Sequence, residues 1–182
     1  MYNLKIIIMA TKTLGNDFMQ LIADEGAWKE LSNELSWTEA LLEKYQDKID
    51  WQELSGNFNV LWTVPMLQKF KNRINWEKLS RCADEKTLTE NCIETFKDRW
   101  SWSELSGNRS INSYLLEKFA DKWDWESVID SYHNNYFFSN ENAIEFYERY
   151  KEYIPAAKLQ GSSLWNEIVE QRKHQILSEI LS

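Results

Sequence analysis

Few residues in this 182-residue chain are of a type and spacing that could do chemistry. Asp130, Ser131 and His133 fall within one short stretch, Asp130-Ser131-Tyr132-His133. These are the residue types of a hydrolytic triad, in which histidine takes the serine proton and a carboxylate orients the ring. Sequence neighbours rarely converge as a triad requires, so His133 reads as a polar loop residue. His174 stands among Gln171, Arg172, Lys173 and Gln175, the setting of a solvated helix face. Cys82 and Cys92 lie ten positions apart and, with only two histidines, offer no metal-ligand spacing. Only five glycines are present, and no phosphate-cradling loop, H-E-x-x-H helix or nucleophile elbow occurs. The sequence therefore predicts no catalytic residue, no metal and no cofactor, and a protein that is not an enzyme.

Ten tryptophans could in principle stack bases or sugars, but their spacing assigns most of them a structural place. Four segments align without gaps: 43–57, 68–82, 94–108 and 117–131, reading EKYQDKIDWQELSGN, QKFKNRINWEKLSRC, ETFKDRWSWSELSGN and EKFADKWDWESVIDS. Their tryptophans, Trp51, Trp76, Trp102 and Trp125, step by 25, 26 and 23 residues. Six positions earlier stands Tyr45, Phe70, Phe96 or Phe119, and two earlier Ile49, Ile74, Trp100 or Trp123. Three positions later comes Leu54, Leu79, Leu105 or Val128. An earlier unit is visible around Phe18, Ile22, Trp28, Leu31 and Ser32; a later one keeps Phe146, Tyr150, Ile154 and Leu159 but has Ala156 in the tryptophan slot. Terminal repeats are often atypical, because one of their faces has no neighbour.

Each unit can be read physically. Asp50, Asn75, Ser101 or Asp124 precedes the tryptophan, and each is a good N-cap, so the tryptophan opens a short helix. Ser55-Gly56-Asn57 and Ser106-Gly107-Asn108 close two of these helices, where glycine can adopt the left-handed conformation. A longer helix follows, with one apolar face formed by residues such as Leu41, Leu42 and Tyr45 or Met66, Leu67 and Phe70. Ser36 with Glu39 and Thr87 with Glu90 fit capping boxes for two of these longer helices. Neither helix of a unit can cover its apolar stripe alone. The expected fold class is all-α, with tandem helix-turn-helix repeats of ~25 residues stacked as an α-solenoid or compact helical array. Units fall near 18–35, 36–60, 63–83, 87–108, 111–131 and 140–162, with a closing helix over 163–181. They form one helical domain over 14–182, behind a lead of residues 1–13 whose Met9 offers a second start. Whether residues 1–8 belong to the native protein stays open.

The repeat resembles the short tandem tryptophan-centred units, of D-W-x-x-L-S-x-N type, found in bacterial, phage and giant-virus proteins of unassigned function. The resemblance covers residues 18–160. It implies a helical scaffold and transfers no catalytic residue.

Charge narrows the function classes. The net charge is -8 and the pI about 4.9, so the field of the whole molecule repels nucleic acid and anionic membranes and attracts a basic protein. The apolar run Ile6-Ile7-Ile8-Met9-Ala10 is too short for a signal-peptide core or a membrane span, and with free cysteines the expected location is cytoplasmic. Between Asp17 and Glu53 ten acids face three lysines, a net -7. Between Lys69 and Arg81 five cations face Glu77 alone, a net +4. The leading expectation is an interaction module, an inhibitor or regulator that docks acidic candidates Asp24, Glu25, Glu30, Glu34, Glu39 and Glu43 on a basic nucleic-acid-handling protein. Its analogues in size and charge are phage-borne inhibitors of CRISPR nucleases and immunity proteins against nuclease toxins. One alternative is a single-stranded RNA binder using Lys69, Lys71, Arg73, Lys78 and Arg81; another is a host adaptor or scaffold. Trp62 and Trp165, outside the repeat slots, are candidate exposed anchors.

Overall fold

The computed structural model describes residues 20–131, 137–138 and 142–182. The lead over residues 1–13, the unit start at Phe18 and the loop carrying His133 lie outside the described residues. Those described are helical and connected by turns, with no strand among them. No helix among them is long and apolar enough to cross a membrane.

The chain divides into two compact units, one ending at Asn75 and the other beginning at Trp76. The first holds α1 (20–34), α2 (Glu39–Tyr45), α3 (Trp51–Ser55) and α4 (Val64–Phe70). The second holds α5 (Trp76–Cys82), α6 (Glu90–Thr95), α7 (Trp102–Ser106), α8 (Ser113–Lys118), α9 (Trp125–Asp130), α10 (Ala143–Tyr150), α11 (Ala156–Leu159) and α12 (Ser163–Leu181). In the second unit the tryptophan helices pack in succession, α5 on α7 and α7 on α9, and α9 meets both α11 and α12.

Local chemistry sets these boundaries. The Asp50 carboxylate accepts from the Gln52 and Glu53 amides, and that of Asp124 from Ser127, so α3 and α9 open at their tryptophans. The other helix of each pair starts behind Thr38, Thr63, Thr89 or Asn112, whose side-chain oxygen accepts the amide three residues on. Those caps recur at 25, 26 and 23 residues. The caps expected at Ser36 and Thr87 are thus displaced by two positions; Thr87 is buried in a turn whose amide bonds Asp84. Helix α1 runs unbroken through Trp28, before which Ala27 has no side-chain oxygen with which to cap. Two further expectations are corrected. Gly56 and Gly107 have φ of -98° and -92°, so neither takes the left-handed conformation, and Gly107 has room for a Cβ. The helices expected to be longer span only six or seven residues, since α2 and α4 give way to a turn directly after Tyr45 and Phe70.

Packing repeats with the sequence. Each tryptophan lies against the aromatic six positions before the next tryptophan slot: Trp28 on Tyr45, Trp51 on Phe70, Trp76 on Phe96, Trp102 on Phe119 and Trp125 on Tyr150, with ring centroids 5.4, 5.2, 5.1, 5.9 and 4.9 Å apart. Trp100 and Trp123 add edge-on contacts to Trp76 and Trp102. Leu54, Leu79, Leu105 and Val128 are fully buried beneath them.

Buried hydrogen bonds lock the same contacts. The hydroxyls of Ser32, Ser55, Ser80 and Ser106 each donate to the tryptophan carbonyl four residues earlier, at 2.6 to 2.7 Å. Each also accepts the amide just before the next tryptophan slot, from Asp50, Asn75, Ser101 and Asp124 respectively, at 2.9 to 3.0 Å. The Asn57 amide nitrogen donates to the Ser32 and Leu35 carbonyls, and that of Asn108 to the Ser80 and Ala83 carbonyls. Apolar contact alone would leave those backbone groups unpaired away from water. Deleting one such partner leaves a buried group unsatisfied. Ser80→Ala is therefore expected to cost about 1–3 kcal/mol, and Trp125→Ala about 3–5 kcal/mol. Urea unfolding measures both; unchanged midpoints would contradict the assignment.

Candidate functional site

Among the described residues, each unit carries a charged depression. In the first unit a cleft of about 410 Å³ lies between α2 and α4, lined by Glu43, Gln46, Lys69, Phe70, Asn72 and Arg73. Lys69 pairs with Glu43 and, at 2.9 Å, with Glu39. Arg73 pairs with Asp47 at 3.1 Å, donates to the Gln46 carbonyl and lies over the Trp51 ring at 5.8 Å. Two residues expected on an acidic dock and two expected on a basic patch are thereby brought into one ion-pair cluster. The remaining acidic candidates, Asp24, Glu25, Glu30 and Glu34, are exposed on α1, where Lys29 reaches Glu53 at 3.7 Å.

In the second unit a hollow of about 510 Å³ opens between α7 and α9. Glu104, Asp124, Glu126 and Asp130 line it, with Arg81 as its cation. Arg81 Nε donates to Glu104 at 2.6 Å, which holds the Glu104 carboxyl below the ordinary carboxylate range. Glu126 pairs with Lys158 at 2.7 Å, and Asp124 accepts from the Ser127 hydroxyl while capping α9. A related cluster on α6 and α8 has Glu90 accepting from the Tyr114 hydroxyl and pairing with Lys118 at 3.2 Å; the Tyr114 hydrogen bond, then Lys118, lowers the Glu90 carboxyl. Counting charge in long windows misses the hollow. Asp124, Glu126 and Asp130 form a short acidic run on one small helix, and Glu104 joins them only because α7 packs on α9.

Trp62 was expected as an exposed anchor and is 3% exposed. The reason is a repeat slot that spans the units: Trp37, Trp62, Leu88 and Ile111 recur at 25, 26 and 23 residues, and all are buried. Among the described residues, the indole N–H groups of Trp62 and Trp100 are buried without an acceptor. Trp165 is half-buried at the start of α12, where Ser162 accepts its amide. Arg81 also approaches Glu77, while Lys71 and Lys78 are half-buried. Cys92 is buried, and burial pushes its thiol up to about 12; burial also raises the half-buried Cys82. Neither is a ready thiolate at neutral pH. Among the described residues no group of three His, Cys, Asp or Glu side chains is placed to hold a metal ion.

No protein-family model matches the chain, and neither a curated protein nor a solved structure is found to resemble it.

Two outcomes follow from these environments. Alkylation of the native protein at neutral pH is expected to modify Cys82 ahead of Cys92, with Cys92 reacting on unfolding; equal native rates would contradict the burial of Cys92. Because the folded Glu104 pKa is depressed, its pairing with Arg81 stabilises above the ordinary carboxylate range and is lost as pH falls through that lowered value. The melting temperatures of wild type and Glu104→Gln should differ at neutral pH and converge in acid. A constant difference would exclude ionic pairing as the cause.

Proposed function

We propose that the protein is a non-enzymatic interaction module that presents an acidic surface to a basic, nucleic-acid-handling protein and regulates or inhibits it by occupancy. The observation that carries this reading is the asymmetry of charge pairing. Lys69, Arg73 and Arg81, three of the cations suited to RNA, are each engaged by carboxylates. Asp24, Glu25, Glu30 and Glu34 stand exposed on α1, whose only cation among the described residues is Lys29. Exposed like charges of this kind steer a basic partner and fall in strength with salt.

The scaffold in this proposal is a stack of tryptophan-centred repeats of the D-W-x-x-L-S-x-N type that the sequence resembles, a short α-solenoid in the cytoplasm. Supporting it are the recurrent tryptophan–aromatic contacts within each unit and the succession of α5, α7 and α9. The burial of Trp37, Trp62, Trp100 and Trp123 also argues against a row of base-stacking platforms.

Affinity capture from the native cell tests the reading, using wild type beside a variant carrying Asp24→Asn, Glu25→Gln, Glu30→Gln and Glu34→Gln. The expected result is a basic protein retained by wild type alone, released by salt and displaced by nucleic acid. Equal recovery by both proteins, or recovery of RNA that depends on Lys71 and Arg73, would overturn it.

A further inference from the structure

Helix α12 has two apolar sides, and only one of them is used within its unit. At about 100° per residue, Leu164, Ile168 and Gln171 fall on the side that packs against α9 and α10. Leu164 is fully buried there and Gln171 accepts the Ala143 amide at 2.9 Å. Val169, Ile176 and Ile180 fall on the opposite side, with Leu177 beside them. These four are 43%, 42%, 73% and 51% exposed, and Leu181 next to them is 77% exposed. Every residue from Arg172 to Ser182 is exposed. Helices owe most of their stability to packing of an apolar face, so an extension with such a face and no packing is poorly stable by itself.

Lys173 lies on the same side and pairs with Glu170 at 3.0 Å, and two of the polar residues bordering the face are self-complementary. Arg172 and Glu179 lie on one flank, two turns apart, with Nη1 and Oε1 4.0 Å from each other. A two-fold axis passing near Ile176 would set Arg172 of each copy opposite Glu179 of the other, because antiparallel helices pair like flanks with like. Covering the five apolar side chains on both copies would bury on the order of 1,000 Å², above most crystal-packing contacts and at the low end of specific interfaces.

We propose that the distal half of α12 is a self-association surface, on which a second copy of this chain packs antiparallel across Ile176, Leu177 and Ile180. The dimer is a weak, concentration-dependent one.

Sedimentation velocity over a roughly hundredfold range of concentration tests the proposal. Wild type should pass from monomer to dimer as concentration rises. Ile176→Lys with Ile180→Lys should remain monomeric throughout while melting, at dilute concentration, at the wild-type temperature. Arg172→Glu and Glu179→Arg should each weaken the dimer at least several-fold, and the two together should restore it. A wild type that stays monomeric at every concentration overturns the proposal, as does a dimer that survives the two lysines. Failure of the double charge exchange to restore association overturns the antiparallel pairing.

Discussion

A serine hydroxyl buried beside a helix needs both a donor and an acceptor role, and the positions of Ser32, Ser55, Ser80 and Ser106 follow from that need. Each hydroxyl gives its proton to the helix it belongs to and receives the amide that leads into the next tryptophan slot. The amide it receives belongs to the residue in the N-cap slot, Asp50, Asn75, Ser101 or Asp124. One buried oxygen therefore fixes where the next short helix begins, and its tryptophan is delivered onto the core at a set height. Asn57 and Asn108 strengthen the same link by closing carbonyls of the preceding helix end. Aromatic and aliphatic side chains together supply the apolar burial, and the hydroxyl supplies the register.

The surface obeys a different logic. Charges pair across the helices that this register brings together: Lys69 with Glu39 and Glu43, Arg81 with Glu104, Lys118 with Glu90, Lys158 with Glu126. These pairs are exposed and contribute little to stability, but they remove the central cations from the pool available to a polyanion. Among the described residues, Asp24, Glu25, Glu30 and Glu34 stay exposed on α1, where Lys29 is the one cation. This is why the proposed partner is a basic protein.

The helical class and the starts of α3, α5, α7 and α9 could be read from the sequence, because Asp50, Asn75, Ser101 or Asp124 precedes each tryptophan, although the Ser101 side chain makes no capping bond. The roles of Ser80 and Asn108 could not. A motif shows that a serine returns, whereas its partner, the amide of Ser101, is 21 residues away and is found only in three dimensions. The burial of Trp62 is hidden for a related reason: its slot is filled by Leu88 and Ile111 further along the sequence, and aligning on identical residues conceals a slot kept only in apolar character. Charge counted along the chain likewise separated Glu43 from Lys69, which the fold joins. Local propensity is carried by neighbours in sequence, while pairing is carried by contacts that the repeat spacing brings together.

Native-state hydrogen exchange at the Ser101 and Asp124 amides tests the serine link most directly. Both residues precede helix starts, where amides ordinarily exchange through local fraying. If each is held by a buried serine hydroxyl, its exchange will track global unfolding, and Ser80→Ala will release Ser101 while leaving Asp124 protected. Rapid exchange of both amides in the wild-type protein would contradict the account.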